Sequence, residues 1–268
     1  MDEQIRTILK YLRLVHLLAY WDELLAEAGR GRFSHERLLK RVLEAEYQAK
    51  TENARLLRRK RASIPEPWEI ETYPFDRQPN LNRKRLMALY DSFDYMTKKQ
   101  NVLWMGKPGC GKTGLATGFL LQALDRGYRG CFVSFPELVG ELYASVADHS
   151  QAKVLRKYGS YDCLLIDELG YVEIEPVQVG LFFTLMQKRH KNKSTLLTSN
   201  LGFGEWASFL KNKHLTAALI DRLTENSHVI NMKNCKTLRG RLDDQTESQD
   251  SDESEESDSD PPEDTASE

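Results

Sequence analysis

The sequence lacks long apolar runs, cysteine pairs and a leader-like N-terminus. None of its 268 residues belongs to an uninterrupted apolar stretch of the roughly 20 residues that a membrane helix needs. The opening residues, M-D-E-Q-I-R, do not have the layout of a secretory signal. The cysteines are scattered, with neither C-x-x-C nor metal-like spacing to histidine: Cys110, Cys131, Cys163 and Cys235. These absences predict a reduced, cytoplasmic protein with no membrane partner.

The sequence also has little net charge, −2, but only because two unlike parts cancel. Residues 243–268 contain thirteen Asp and Glu and no Lys or Arg. Residues 1–242 hold all 38 basic residues and 27 of the 40 acidic ones, a net charge of +11. A basic body favours a DNA backbone as partner. The acidic tail is predicted to be disordered. It is either a solubilising extension or a competitor that occupies the DNA site when DNA is absent.

One short motif, G-K-P-G-C-G-K-T, fits the P-loop pattern G-x-x-x-x-G-K-[ST]. Its residues are Gly106, Lys107, Pro108, Gly109, Cys110, Gly111, Lys112 and Thr113. A strand-like run, 102–105, precedes it and a helix-capable segment, 113–125, follows it. This context aims backbone N–H groups and a helix N-terminus at phosphate, which an ordinary glycine-rich turn does not. Lys112 then reaches the β- and γ-phosphates and the Thr113 hydroxyl holds Mg²⁺. The motif predicts that the chain binds a nucleoside triphosphate.

A second motif, C-L-L-I-D-E at 163–168, ends an apolar run with two carboxylates. The run is typical of a parallel strand buried on both faces. Asp167 is placed to hold the Mg²⁺ shell, and Glu168 to orient and deprotonate the attacking water. Asn200 follows another β-rich run, where its amide could touch the γ-phosphate or that water. The alternative for the acidic pair is a solvated strand end.

The order of these segments predicts a three-layer α/β domain. Five strand-like runs alternate with helix-like segments and place the ligand at the carboxyl ends of the strands. The predicted strands are 102–105, 130–135, 163–167, 194–199 and 228–232; predicted helices include 113–125, 177–189 and 216–223.

The N-terminal part is predicted to be a separate helical unit. Apolar residues recur every three or four positions and give one helix face: Ile5, Ile8, Leu9, Leu12 and Val15. Ser34 is a plausible N-cap for a second helix. That helix ends in a basic run just before Pro65 and Pro67.

Two basic groups are candidate DNA contacts. The first is the end of the second helix: Arg55, Arg58, Arg59, Lys60 and Arg61. Its alternative is a helix C-terminus that complements its own dipole. The second group, between the second and third strands, is Lys153, Arg156 and Lys157. Its alternative is a solvated helix face.

Four strings together resemble a known family: G-K-P-G-C-G-K-T, L-L-I-D-E-L-G-Y, L-L-T-S-N and A-L-I-D-R-L. In this order and spacing they are similar to AAA+ ATPases of the IstB type, transposition helpers of bacterial insertion sequences and relatives of DnaC helicase loaders. The resemblance implies a P-loop AAA+ fold with a five-stranded parallel sheet. It also implies an ATP-dependent homo-oligomer on double-stranded DNA that recruits and stimulates a cognate transposase at a target site.

The resemblance also assigns roles to single residues. Asn200 matches sensor 1, and Arg222 matches the arginine finger supplied to a neighbouring subunit. Phe75 and Pro79 match a segment near the nucleotide base. The candidates for a second sensor are Arg239 and Arg241, with exposed C-terminal arginines as the alternative.

The predicted organisation is a small all-α domain at 1–66, an AAA+ ATPase domain at 67–242 and the acidic tail at 243–268. Gly114 and Gly118 depart from a strong helix, so the helix after the P-loop is either loose or closely packed against something. Two other functions remain open. A helicase loader would recruit a replicative helicase, and a small-molecule P-loop kinase would need a lid with transition-state arginines.

Overall fold

Strands and helices alternate after a helical N-terminal unit in the computed structural model, which describes residues 1–171 and 174–238. The helices are α1 (Glu3–Tyr11), α2 (Val15–Ala19), α3 (Trp21–Arg30), α4 (His35–Arg61), α5 (Arg83–Ser92), α6 (Asp94–Thr97), α7 (Lys112–Asp125), α8 (Phe135–Ala147), α9 (Gln151–Ser160), α10 (Pro176–Arg189), α11 (Phe203–Phe209) and α12 (Lys213–Thr224). The strands are β1 (Asn101–Met105), β2 (Gly130–Ser134), β3 (Cys163–Leu169), β4 (Ser194–Ser199) and β5 (Ser227–Asn231). The acidic tail, Arg239 and Arg241 lie outside the described residues.

The strands form one five-stranded parallel sheet in the order β2-β3-β4-β1-β5. The five predicted strands are confirmed, each within two residues of its ends. β1, β3 and β4 are almost entirely buried, as apolar strands covered on both faces must be. β4 lies between β1 and β3. The P-loop, the acidic pair and the end of β4 therefore lie together at the carboxyl ends of these three strands.

Helices cover both faces of this sheet. On one face α7 packs over β1 with α5 and α6, around Trp104 and Phe119, whose rings meet edge-on at 5.2 Å. On the other face α8 to α12 pack around Phe135 and Phe182. The result is the three-layer α/β arrangement. No helix among the described residues is both long and apolar enough to cross a membrane.

The N-terminal unit differs from its prediction. The expected single helix is wrong: α1 ends at Tyr11, Arg13 has a φ of 54°, and α2 starts at Val15. The reason lies far along the chain, on α4. The buried Glu46 carboxylate accepts hydrogen bonds of 3.0–3.1 Å from the backbone N–H groups of Val15, His16 and Leu17. It therefore caps α2 and complements its dipole, which no local apolar pattern reveals.

α4 joins this unit to the α/β part of the chain. Its N-cap is confirmed, since the Ser34 hydroxyl accepts a 3.2 Å bond from the Arg37 N–H. At its other end Arg58 donates to the Leu124 carbonyl at 2.8 Å, and Arg59 pairs with Asp125. Both partners belong to the last turn of α7. The end of α4 is thus attached to the helix that starts at the P-loop.

Candidate nucleotide-binding site

A cleft of about 730 Å³ opens at the carboxyl edge of the sheet, a volume typical of small-molecule sites. Most of its lining comes from the P-loop and the start of α7, the ends of β3 and β4, and the segment before α5. These residues are Gly109, Gly111, Lys112, Thr113, Gly114, Asp167, Glu168, Thr198, Pro65, Glu66, Trp68 and Tyr73. The structure therefore brings the two sequence motifs together.

The P-loop has the backbone shape that phosphate binding needs. Gly111 has a φ of 86°, in the left-handed region that favours glycine. A Cβ there would also lie 2.6 Å from the Tyr73 ring. The Tyr73 hydroxyl donates to the Cys110 carbonyl at 2.9 Å, and the Cys110 side chain is buried beneath the loop. The loop leads into α7 at Lys112, so its N–H groups and the helix dipole face the cleft.

Within the loop, the Lys112 ammonium is 2.8 Å from the Gly106 carbonyl and 2.9 Å from the Lys107 carbonyl, and donates to both. The side chain is only 7% exposed. Lys107 and Pro108 are exposed at the tip of the loop. The ammonium is therefore held by the carbonyl groups of the loop itself, beside the position that the phosphates would occupy.

At the floor of the cleft, Thr113 and Asp167 form a donor set for a divalent cation. The Thr113 hydroxyl donates to both Asp167 carboxylate oxygens, at 3.0 and 3.1 Å. Burial raises the pKa of Asp167, and the hydroxyls of Thr198 and Thr113 oppose that rise. A buried carboxylate beside a hydroxyl offers the oxygen ligands that Mg²⁺ prefers. The chemistry of these two residues fits the predicted cation.

Glu168 lines the same cleft next to Asp167. Its φ is 64°, and the pairing of β3 with β4 shifts register between Ile166 and Leu169. Adjacent residues of a regular strand point to opposite faces, so this β-bulge lets both carboxylates face the ligand. The sequence predicted the two residues but not the bulge.

Asn200 and Arg222 do not line the described cleft. Asn200 follows β4, and its buried Oδ1 has no hydrogen-bond partner in the part of the chain that the structure describes. A buried polar atom without a partner is unusual in a protein. A hydrogen bond from a bound water to this oxygen would account for it. Arg222 lies on α12, with its guanidinium 4.7 Å from the centre of the Phe183 ring and one N–H donating to the Ala218 carbonyl at 3.0 Å.

Sequence reasoning missed the aromatic wall of the cleft. Trp68 lies against Gly114, where a Cβ would be 3.4 Å from the indole, and Ile70 lies against Gly118. The two glycines therefore serve close packing, which was one of the two expectations for them. Trp68 lines the cleft and is 37% exposed, so its ring is available to a nucleotide base, whereas Phe75 packs on Tyr73 instead. The available signal was the glycine pair four residues apart in the segment after the P-loop, although the residues that pack on it lie more than 40 positions earlier in the chain.

The predicted DNA contacts fall into two structural kinds. Arg55, Arg58 and Arg59 are engaged with the end of α7, and Lys157 pairs with Glu141 at 2.8 Å. The remaining side chains are exposed: Lys60, Arg61, Lys153 and Arg156. The two groups lie on elements that cover opposite faces of the sheet, α4 beside α7 and α9 beside α8.

Comparisons with known proteins agree with this geometry. A family model described as IstB-like ATP binding protein matches residues 7–245. An ATP-binding protein named for insertion sequence IS5376 of Geobacillus stearothermophilus is 30% identical over 233 residues, 87% of this chain and 92% of that one. The one named for IS21 of Pseudomonas aeruginosa is 28% identical over 230 residues, 86% of each chain.

Two solved structures share the fold. DnaI aligns with a TM-score of 0.50 and 24% identity over 56% of this chain and 84% of its own. The replication initiator DnaA bound to AMPPCP and single-stranded DNA aligns with a TM-score of 0.51 and 17% identity, over 65% and 52%. These similarities place the sheet and P-loop in the AAA+ fold.

Proposed function

The chain belongs to the IstB-like ATP-binding proteins, and from this premise we propose that it is a Mg²⁺-dependent ATPase that assembles on double-stranded DNA and recruits a cognate transposase. The observation that carries the proposal is one cleft lined by Lys112, Thr113, Asp167 and Glu168. Relatives named for ATP binding in insertion sequences support the transposition role.

The hydrolytic step follows from the positions of these side chains. The P-loop N–H groups and Lys112 bind the β- and γ-phosphates. Thr113 and Asp167 hold Mg²⁺, which neutralises charge on the phosphate oxygens. Glu168 accepts a proton from the attacking water. At the same time the water oxygen bonds to the γ-phosphorus, and the bond between that phosphorus and the ADP oxygen breaks. Asn200, which follows β4 but does not line the cleft, is assigned the orientation of the same water because it matches the family's sensor 1.

Assembly follows from Arg222. Arg222 matches the family's arginine finger and does not line the cleft of its own subunit; its proposed role is to reach the γ-phosphate of a neighbouring subunit in a homo-oligomer. The exposed Lys60, Arg61, Lys153 and Arg156 are the side chains best placed to meet DNA phosphates. We propose a helical domain at 1–66 and an ATPase domain at 67–242, a boundary that falls between the end of α4 at Arg61 and Trp68, which lines the cleft.

The test compares Lys112→Ala with Glu168→Gln. Lys112→Ala should lose ATP binding, because the ammonium supplies ground-state phosphate contacts. Glu168→Gln should bind ATP and remain on duplex DNA while turnover falls by about 10²–10⁴-fold, the usual contribution of a general base. ATP affinity, turnover and DNA retention are measured on the same preparations. A Glu168→Gln protein that turns over ATP at the parental rate would contradict the assignment.

Adding partners to the same assay separates the alternatives. Stimulation of turnover by DNA and by a cognate transposase supports the proposal. Stimulation by a replicative helicase alone would indicate a helicase loader. Phosphorylation of a small molecule, with no effect of DNA or protein concentration, would indicate a P-loop kinase.

A further inference from the structure

We infer that Thr198 is a positioning residue that holds the metal-binding Asp167 and the water-activating Glu168 in register with each other. The inference rests on the proposed hydrolysis of ATP by Glu168. It assigns a role to a buried side chain on β4 that neither sequence motif contains.

The Thr198 hydroxyl makes two hydrogen bonds at once. It donates to Asp167 Oδ1 at 2.5 Å and accepts from the backbone N–H of Glu168 at 3.0 Å. A hydroxyl carries one donor and two acceptor sites, so both bonds can coexist. The residue is only 1% exposed, so water cannot readily replace either partner.

The second observation is the form of the bulge. Ile166 pairs with Leu197, and the next pair is Leu169 with Ser199. Two residues of β3, Asp167 and Glu168, therefore face one residue of β4, Thr198, which is the definition of a β-bulge. A bulge leaves one residue without its place in the ladder. Here the side-chain oxygen of Thr198 accepts a hydrogen bond from the Glu168 N–H in place of a ladder partner.

The third observation is strain at Glu168. Its φ of 64° lies in the left-handed region, which is unusual for a residue that is not glycine. Such a conformation persists only where the surroundings hold it. The Thr198 hydroxyl is the contact that holds both the strained backbone and the neighbouring carboxylate. Its removal should let Glu168 move relative to Asp167 without removing either carboxylate.

The experiment compares Thr198→Val, which keeps the shape and deletes the hydroxyl, with Thr198→Ser, which keeps the hydroxyl. Thr117→Val is the matched control, because the Thr117 hydroxyl is buried on α7 and has no hydrogen-bond partner among the described residues. Outer-shell partners of this kind are typically worth about 10–100-fold in activity. Thr198→Val should therefore lose about 10–100-fold in turnover. Its ATP affinity should change by less than about threefold, because the hydroxyl is proposed to act on the chemical step and not on ATP binding. Thr198→Ser and Thr117→Val should stay within about threefold of the parent on both measures.

Amide hydrogen exchange across 163–171 gives a measurement that does not depend on turnover. Faster exchange at the Glu168 N–H in Thr198→Val, and not in Thr198→Ser, supports the inference. Parental turnover in Thr198→Val would overturn it, and so would parental exchange at the Glu168 N–H. So would a Thr198→Ser protein as slow as Thr198→Val, because the methyl group and not the hydroxyl would then matter.

Failure of this inference is distinguishable from failure of the proposed function. If Glu168→Gln has lost turnover while Thr198→Val retains it, the proposed function stands and the inference is wrong. If no protein in the series hydrolyses ATP, the proposed function is wrong, and the exchange of the Glu168 N–H alone decides whether Thr198 holds the bulge.

Discussion

Asp167 is a residue whose burial opposes its ionisation. It is 5% exposed, and desolvation raises its pKa even though Thr198 and Thr113 donate hydrogen bonds to it. A carboxyl whose pKa is higher in the folded than in the unfolded state lowers stability as the pH rises from its ordinary range through the raised pKa. Without a cation, this carboxyl therefore contributes less stability above its ordinary pKa range than below it.

The prediction is that Asp167→Asn stabilises the free protein. In the absence of Mg²⁺ and ATP its melting temperature at neutral pH should rise by roughly 2–4 °C, which is about 1 kcal/mol for a chain of this size. The difference from the parent should shrink as the pH falls below the raised pKa, because protonation then removes the same charge. Calorimetry over a pH series measures both effects.

Mg²⁺ and ATP provide the control for this prediction. A ligand that binds the folded state stabilises it by mass action, so the parent should gain more from Mg²⁺·ATP than the variant does. The order of the two melting temperatures should then reverse. A variant that is less stable than the parent without ligand would show that the hydroxyl contacts of Asp167 outweigh its desolvation.

At the residue scale the sequence predicts what is local. Lys112, Thr113, Asp167 and Glu168 were all predicted because each stands in a contiguous motif, and the structure places all four around one cleft. Thr198 was not, since its contacts cross from β4 to a bulge in β3 that only strand pairing reveals.

At the scale of elements, predictability again follows distance along the chain. The Ser34 cap acts three residues away, on Arg37, and was predicted. The break between α1 and α2 depends on Glu46, about 30 residues later, and was not. The basic end of α4 shows the same limit, because its partners Leu124 and Asp125 lie on α7.

The junction of α4 with α7 yields a prediction that separates stability from DNA binding. Partial burial would raise the pKa of Asp125, but hydrogen bonds from Arg59 and Arg55 outweigh it and lower the pKa. Arg59→Ala should reduce the free energy of unfolding by about 1 kcal/mol, since the pair is partly screened by solvent. The exposed Lys60→Ala should change it by less than about 0.5 kcal/mol and instead weaken DNA binding.

Acidification is the control for this junction. A carboxylate with a lowered pKa stabilises the fold above its ordinary range, and that contribution disappears as the pH falls through the lowered pKa. The stability difference between the parent and Arg59→Ala should therefore diminish in acid. Arg59→Ala could instead weaken DNA binding more than Lys60→Ala does and leave the stability unchanged. That result would show that the end of α4 contacts DNA through Arg59, and that the contact of Arg59 with Asp125 does not stabilise the fold.

For the whole molecule the dominant feature is the division of charge. Residues 1–242 carry +11, and residues 243–268 carry thirteen acidic groups and no basic ones. An acidic segment on the same chain attracts the basic side chains that a DNA backbone would bind, and we propose that it competes with DNA for them. The acidic segment lies outside the described residues.

Removal of residues 243–268 should tighten binding to duplex DNA and raise the association rate at low salt. DNA affinity falls with salt through counterion release, but salt also screens the attraction between the acidic segment and the basic body. The truncated and complete proteins should therefore differ most at low ionic strength and converge as salt increases. A chain of full length with the acidic residues changed to Asn and Gln is the matched control and should behave like the truncated one. Equal affinities of all three proteins at low salt would leave the segment as a solubilising extension.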